Sequence, residues 1–147
     1  MQDERVSAMA SYNRTTLSGL PSLIVEGIAV DTKMQGKGFF KNVTDIARKN
    51  EEIICLRTQN PRMYRALEKY CSQIYPCARE MPKKIEIILE DLTKYMNCQI
   101  DKNGLVKGYY GGLFYGEEPT HEKISPLFRN LGMKLNDGDG LLVVGIK

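Results

Sequence analysis

Residues Leu23 to Asn50 read LIVEGIAVDTKMQGKGFFKNVTDIARKN, and this stretch constrains the fold more than any other. Leu23 to Val30 is an apolar run rich in β-branched residues, the composition of a strand. A short polar connection follows, Asp31 to Met34, and then Gln35-Gly36-Lys37-Gly38. Phe39 to Lys49 has helical spacing, with Phe39, Val43, Ile46 and Ala47 expected as its buried stripe. Asn50-Glu51 ends that helix, and Glu52 to Arg57, EIICLR, is a continuous apolar run bounded by charge. Such a run suits a strand buried on both faces of a parallel pair. Strand, glycine loop, helix and strand together predict a βαβ unit with a right-handed crossover. The loop then lies at the carboxyl end of a strand, where open α/β sheets bind ligands.

A strand that turns through two glycines into a helix is suited to holding an anion. The first turn of a helix has N–H groups with no internal acceptor, and the helix dipole adds partial positive charge there. Glycine allows close approach and positive φ, and Lys37 adds a cation at the rim. GKGFFK lacks the third glycine of the dinucleotide fingerprint, and no Gly-Lys-Ser/Thr follows a four-residue spacer as in a P-loop. The alternative is a glycine turn that only connects strand to helix.

With Val30 ending the strand and Gln35, Gly36, Lys37 and Gly38 following, the stretch resembles the acyl-CoA pyrophosphate loop of the GNAT N-acetyltransferase superfamily. That family's pattern is Gln/Arg-x-x-Gly-x-Gly/Ala directly after a valine-ended strand. The resemblance covers Leu23 to about Ala66 and is weaker elsewhere. It implies that Gln35, Gly36, Lys37, Gly38, Phe39 and Phe40 hold the pyrophosphate. It also implies that Ile28, Ala29 and Val30 meet the pantetheine arm, and that Asn60 contacts the same arm. Glu26 stands where many members carry an acidic residue, which makes it the candidate base. Phe40 stands where the family has glycine or alanine, so a narrower cradle is expected. Many members place a tyrosine seven residues after Asn60 to protonate the departing thiolate; that position here is Leu67. Tyr64, one turn away, is the candidate acid, with packing as its alternative role.

The resemblance implies an α/β fold of the mixed α+β kind, a single GNAT-like domain over residues 1–147 with a sheet of about five strands. The usual N-terminal strand and helices are missing from it, as in a reduced member, a fragment or a chain completed by a partner. The implied cofactor is acetyl-CoA or another acyl-CoA, and the implied acceptor a small-molecule or protein amine.

A length of 147 residues suits one domain with one core. No apolar run approaches the roughly 20 residues that span a membrane, and MQDERVSAMA is charged rather than a secretory leader. Net charge is only +3, too mild to point to nucleic acid by itself. Cys55, Cys71, Cys77 and Cys98 match no zinc or CxxC spacing and are read as reduced thiols of a cytoplasmic protein. With His121 the only histidine, no metal site is expected.

Along the rest of the chain, Arg5 to Leu17 reads as a strand, with Val6, Ala8, Ala10 and Tyr12 on one face. Ser18 to Pro21 is a turn that makes it a hairpin with the next strand. Asn60 and Pro61 start a helix expected to reach about Ile74, with Met63, Leu67, Tyr70 and Ile74 inward. A second helix is expected from Pro82 to about Met96, with Ile85, Ile88, Leu89, Leu92 and Tyr95 inward. Leu105 to Tyr115 reads as a strand carrying the aromatics Tyr109, Tyr110, Phe114 and Tyr115. Glu122 to Leu131 reads as a short helix, and Leu141 to Ile146 as a last strand antiparallel to Leu105–Tyr115.

Three functions compete on these residues. The first is an acyl-CoA-dependent N-acyltransferase, for which no covalent enzyme intermediate is required. The second is a CoA-binding or assembly module without catalysis, whose exposed N-terminal strand edge would pair with another copy in a homodimer. The third, ranked below both, is a nucleic-acid-binding module resting on slight basicity and the aromatic cluster.

Overall fold

The computed structural model describes residues 8–30, 38–101, 103–112 and 119–147. Strands β1 (Ala8–Leu17) and β2 (Leu20–Val30) form a hairpin, followed by helix α1 (Phe39–Ala47) and strand β3 (Ile53–Thr58). Helix α2 (Pro61–Tyr70), strand β4 (Gln73–Tyr75) and helix α3 (Lys83–Met96) come next. Strand β5 (Leu105–Val106), helix α4 (Ser125–Asn130), a 3-10 turn (Leu135–Asp137) and strand β6 (Gly140–Ile146) complete the order. The sheet runs β1-β2-β3-β6-β4, with β5 on the start of β6. Only β2 and β3 pair in parallel; the other described pairs are antiparallel. The fold is therefore α+β, an open mixed sheet flanked by helices, with six strands among the described residues where about five were expected.

Alternation along the strands sorts the core onto two faces. Leu23, Val25, Ile54, Leu56, Leu141 and Val143 pack with Phe40 of α1, Tyr64 and Leu67 of α2, and Phe128 of α4. Ile24, Ile53, Cys55, Leu142 and Val144 pack with Ile85, Ile88, Leu89 and Leu92 of α3. Cys55 is fully buried, which pushes its thiol pKa up and leaves it a small hydrophobe. All four cysteines are free.

Several expected elements differ, each for a visible reason. Helix α2 stops at Tyr70 rather than Ile74, because Ser72 donates both its N–H and its hydroxyl to the Ile146 carbonyl, at 2.8 and 2.9 Å. Those bonds draw the chain alongside β6 as β4, a strand that helical periodicity concealed. The buried residues of α1 are Phe40 and Thr44; of the expected stripe, Ala47 packs against the core, Phe39 and Val43 are half-buried, and Ile46 is 84% exposed. Phe40 is drawn in by an edge-to-face contact with Tyr70, and Thr44 by the Tyr12 hydroxyl at 2.8 Å. Tyr95 of α3 is half exposed rather than core.

The strand expected over Leu105–Tyr115 is only two residues long. It pairs antiparallel with β6 as expected, Leu105 opposite Leu141. After Val106 the chain leaves the sheet because the buried Asp139 carboxylate takes the Gly108 N–H at 3.0 Å and Tyr110 donates to the Gly138 carbonyl. Phe114 and Tyr115 lie outside the described residues. Among the described residues no helix is long and apolar enough to cross a membrane.

Candidate functional site

The parallel ladder between β2 and β3 is short. It begins at Ser22 opposite Ile53 and ends at Val25 opposite Leu56. Strand β2 runs on to Val30 and β3 to Thr58, without further pairing between them. Two features turn β2 away. Its register against β1 slips by one residue, Ser11 facing Gly27 while Tyr12 faces Val25, so Glu26 is the extra residue of a β-bulge. A bulge bends its strand and re-aims the side chain it carries. Meanwhile β3 is held straight by β6, with Arg57 opposite Leu142 and Thr58 opposite Leu141.

The space so opened is a cleft of about 330 Å³ lined by Glu26, Gly27 and Ile28 on one side and Leu56, Arg57 and Thr58 on the other. Met63 of α2, Met96 of α3, and Tyr109 and Tyr110 complete it. Among the described residues no strand pairs with the β3 side of β2 beyond Val25, an edge of the kind that pairs with an extended ligand.

Glu26 is exposed at the bulge, and Asn13 Nδ2 donates to its Oε1 at 2.9 Å, which fixes the carboxylate toward the β1 side. Ile28 is half-buried and Ala29 exposed on the same strand, and Val30 ends it. Gln35, Gly36 and Lys37 lie outside the described residues. Gly38 is the N-cap of α1, in the left-handed region at φ 76° with open space beside it. The first bond of α1 runs from Asn42 N to Gly38 O at 3.1 Å, so the N–H groups of Phe39, Phe40 and Lys41 precede the helical ladder. No acidic side chain stands in that first turn. The Phe40 ring is buried, its centroid 6.0 Å from that of Tyr70. Phe39 is half-buried.

Asn60 caps α2, its Oδ1 accepting from Arg62 N at 2.9 Å, and Thr58 Oγ1 accepts from Asn60 N at 2.8 Å. The start of α2 is thereby tied to the end of β3. Tyr64, the candidate acid, is fully buried and does not line the cleft. Its hydroxyl donates to the Pro76 carbonyl at 2.6 Å, its ring meets Phe128 edge to face, and burial drives its pKa upward. A proton so committed suits packing, and no acid role is assigned to it.

Residues that the sequence left unassigned form the other wall. Arg57 follows the parity of Ile53 and Cys55 and so emerges on the α3 side. Its guanidinium carbon lies 3.5 Å from the Tyr109 ring centroid, Nη1 donates to Met96 Sδ at 3.7 Å, and Nη2 donates to the Tyr109 hydroxyl. Tyr110 donates its hydroxyl to the Arg57 carbonyl at 3.3 Å. The segment carrying both tyrosines is held from beneath. The buried Gln59 donates to the carbonyls of Gly112 and Leu135 at 3.0 and 3.2 Å. Asp139 accepts from the N–H groups of Gly108 and Lys134 and from Lys107 Nζ. Burial opposes the charge on Asp139, but the two backbone donors and the Lys107 ammonium outweigh it and hold its pKa below the usual value. A signal for Arg57 did exist in the sequence: a charged residue ending an otherwise apolar buried strand.

No protein-family model, no curated protein and no solved structure matches this chain.

Proposed function

We propose that the chain is an acyl-CoA-dependent N-acyltransferase of GNAT-like build that moves an acyl group, acetyl first among candidates, onto an amine. The observation that carries this reading is the end of the β2–β3 ladder at Val25 and Leu56, which opens a cleft at the carboxyl end of a parallel pair. That cleft has an unpaired strand edge on one wall, and the loop that leaves it leads to a helix N-terminus capped by a left-handed glycine. The arrangement fits a long ligand with amides in the middle and a pyrophosphate at one end. The amides of the pantetheine arm pair with the backbone of Gly27 to Val30, as an added strand would. The pyrophosphate meets the first-turn N–H groups of α1 from Gly38 to Phe40.

When bound, the acyl-CoA supplies an activated thioester. Glu26 takes the proton that the acceptor amine loses as the new C–N bond forms. The C–S bond breaks, sulfur carries away the electron pair, and the thiolate takes a proton from solvent at the cleft mouth. Amine and thioester thus become amide and thiol, and the proton on Glu26 returns to solvent.

A module that binds CoA without transferring an acyl group is the second reading. Two observations favour it: Leu67 is buried in place of a tyrosine, and the Tyr64 hydroxyl is bonded to Pro76. Calorimetric titration with acetyl-CoA and CoA, followed by a thiol-release assay over a broad amine panel, separates the two. Binding with amine-dependent thiol release supports transfer. Binding with no release from any amine supports the module, and no binding overturns both.

A further inference from the structure

Of the described residues lining the cleft, only Glu26 and Arg57 carry charge, and they stand on opposite walls. Glu26 attracts an amine; Arg57 needs an anion. Arg57 is half-buried, and among the described residues it makes no ion pair with a carboxylate. Its Nε is buried and has no hydrogen-bond partner, although Nη1 and Nη2 are both engaged. A buried donor without an acceptor is costly, and a guanidinium presents Nε–H and Nη–H as a planar fork matched to a carboxylate. The guanidinium lies over the Tyr109 ring, a cation–π contact that steadies it in the cleft wall. The neighbouring hollow, which shares Tyr109, is lined by Lys94 and by Lys107, whose ammonium is paired with Asp139.

We infer that the acceptor is an amine that also bears a carboxylate, an amino acid or a similar zwitterion, with Arg57 receiving the carboxylate and Glu26 facing the amine. This rests on the acyl-transfer reading. Leu56 and Thr58 belong to the opposite face of β3 from Arg57, so the acceptor enters from the α3 and Tyr109 side while the acyl donor occupies the strand edge.

The test compares carboxylate-bearing amines (glycine, β-alanine, 4-aminobutyrate, aspartate and glutamate) with their carboxamides, reading thiol release from acetyl-CoA. The wild-type chain is expected to prefer at least one acid over its amide by about tenfold in kcat/KM, since a charge-assisted bidentate pair is lost in the amide. Arg57→Gln should erase that preference, kcat/KM with the acid falling to that with its amide, while Arg57→Lys, which keeps the charge without the fork, should fall between. Equal use of acid and amide by the wild type, or an equal fall on both in Arg57→Gln, overturns the inference. A second readout needs no turnover: the Arg57 Nε–H resonance, assigned with Arg57→Lys, should shift on adding the preferred acid without acetyl-CoA. A resonance that none of the acids moves overturns the inference. That shift together with no thiol release from any amine would overturn acyl transfer while leaving the carboxylate site standing.

Discussion

Val25 and Leu56 form the last rung of the parallel ladder between β2 and β3. One residue further, Glu26 is displaced by the bulge against Ser11 and Tyr12, and Arg57 stays paired to Leu142. The cleft, its two charges and its unpaired backbone edge all follow from that parting. A bulge on one strand and continued pairing of its neighbour to β6 convert a continuous sheet into a cleft.

Glu26→Gln keeps an oxygen for the Asn13 contact but removes the proposed base. Turnover is expected to fall about 100-fold, the usual scale of one general base, with acetyl-CoA affinity unchanged within about threefold. Steady-state kinetics beside calorimetry checks both, and unchanged turnover removes Glu26 from the mechanism.

Gly38→Asn and Gly38→Trp separate backbone strain from blockage. Gly38 has φ 76° and nothing beside it, and asparagine tolerates that region better than other side chains. Asparagine should leave the thermal midpoint nearly unchanged and retain acetyl-CoA binding. Tryptophan costs about 1–2 kcal/mol from the left-handed conformation and should abolish binding by covering the α1 N-terminus. Retained binding in Gly38→Trp would move the pyrophosphate site elsewhere.

Tyr64→Phe leaves the buried Pro76 carbonyl without its donor. A loss of about 1–3 kcal/mol in denaturant unfolding is expected, with kcat per folded molecule unaltered. A fall in kcat at unchanged stability would return Tyr64 to the chemistry.

Asp139 and Glu51 both have carboxyl pKa values held low in the folded chain although both are buried. Burial opposes the charge on Glu51 as well, and the Lys49 N–H and Arg14 are among the groups that outweigh it. A depressed carboxyl stabilises the fold above its unfolded pKa, near 4 for both residue types. That contribution is lost as pH falls through the lower folded value. Thermal midpoints should therefore be level near neutrality and drop below about pH 4. Asp139→Asn should lower the midpoint at pH 7 and flatten part of the acid drop.

The frame of the fold was legible because it rests on local signals. Apolar runs marked β2, β3 and β6; Asn60-Pro61 marked the start of α2; and the spacing of Ile85, Ile88, Leu89 and Leu92 marked α3. The elements that were misread depend on distant partners. β4 exists because Ser72 bonds to Ile146, and α1 is rotated because Tyr70 and Tyr12 draw in Phe40 and Thr44. The site divides in the same way. The places of Glu26 on β2 and of Gly38 at the start of α1 were readable from one stretch of chain. Arg57 and Tyr109 are brought together across 52 positions by Asp139 and Gln59, and no local pattern announces that.

Amide hydrogen exchange along β2, with and without saturating acetyl-CoA, tests the central claim most directly. The account predicts at least about tenfold slower exchange for amides between Gly27 and Val30 on the β3-facing edge, as backbone groups without a strand partner gain one. Amides from Ser22 to Val25, already in the ladder, should change little. Binding that leaves Gly27–Val30 unprotected, or the absence of any protection at saturating acetyl-CoA, would contradict it.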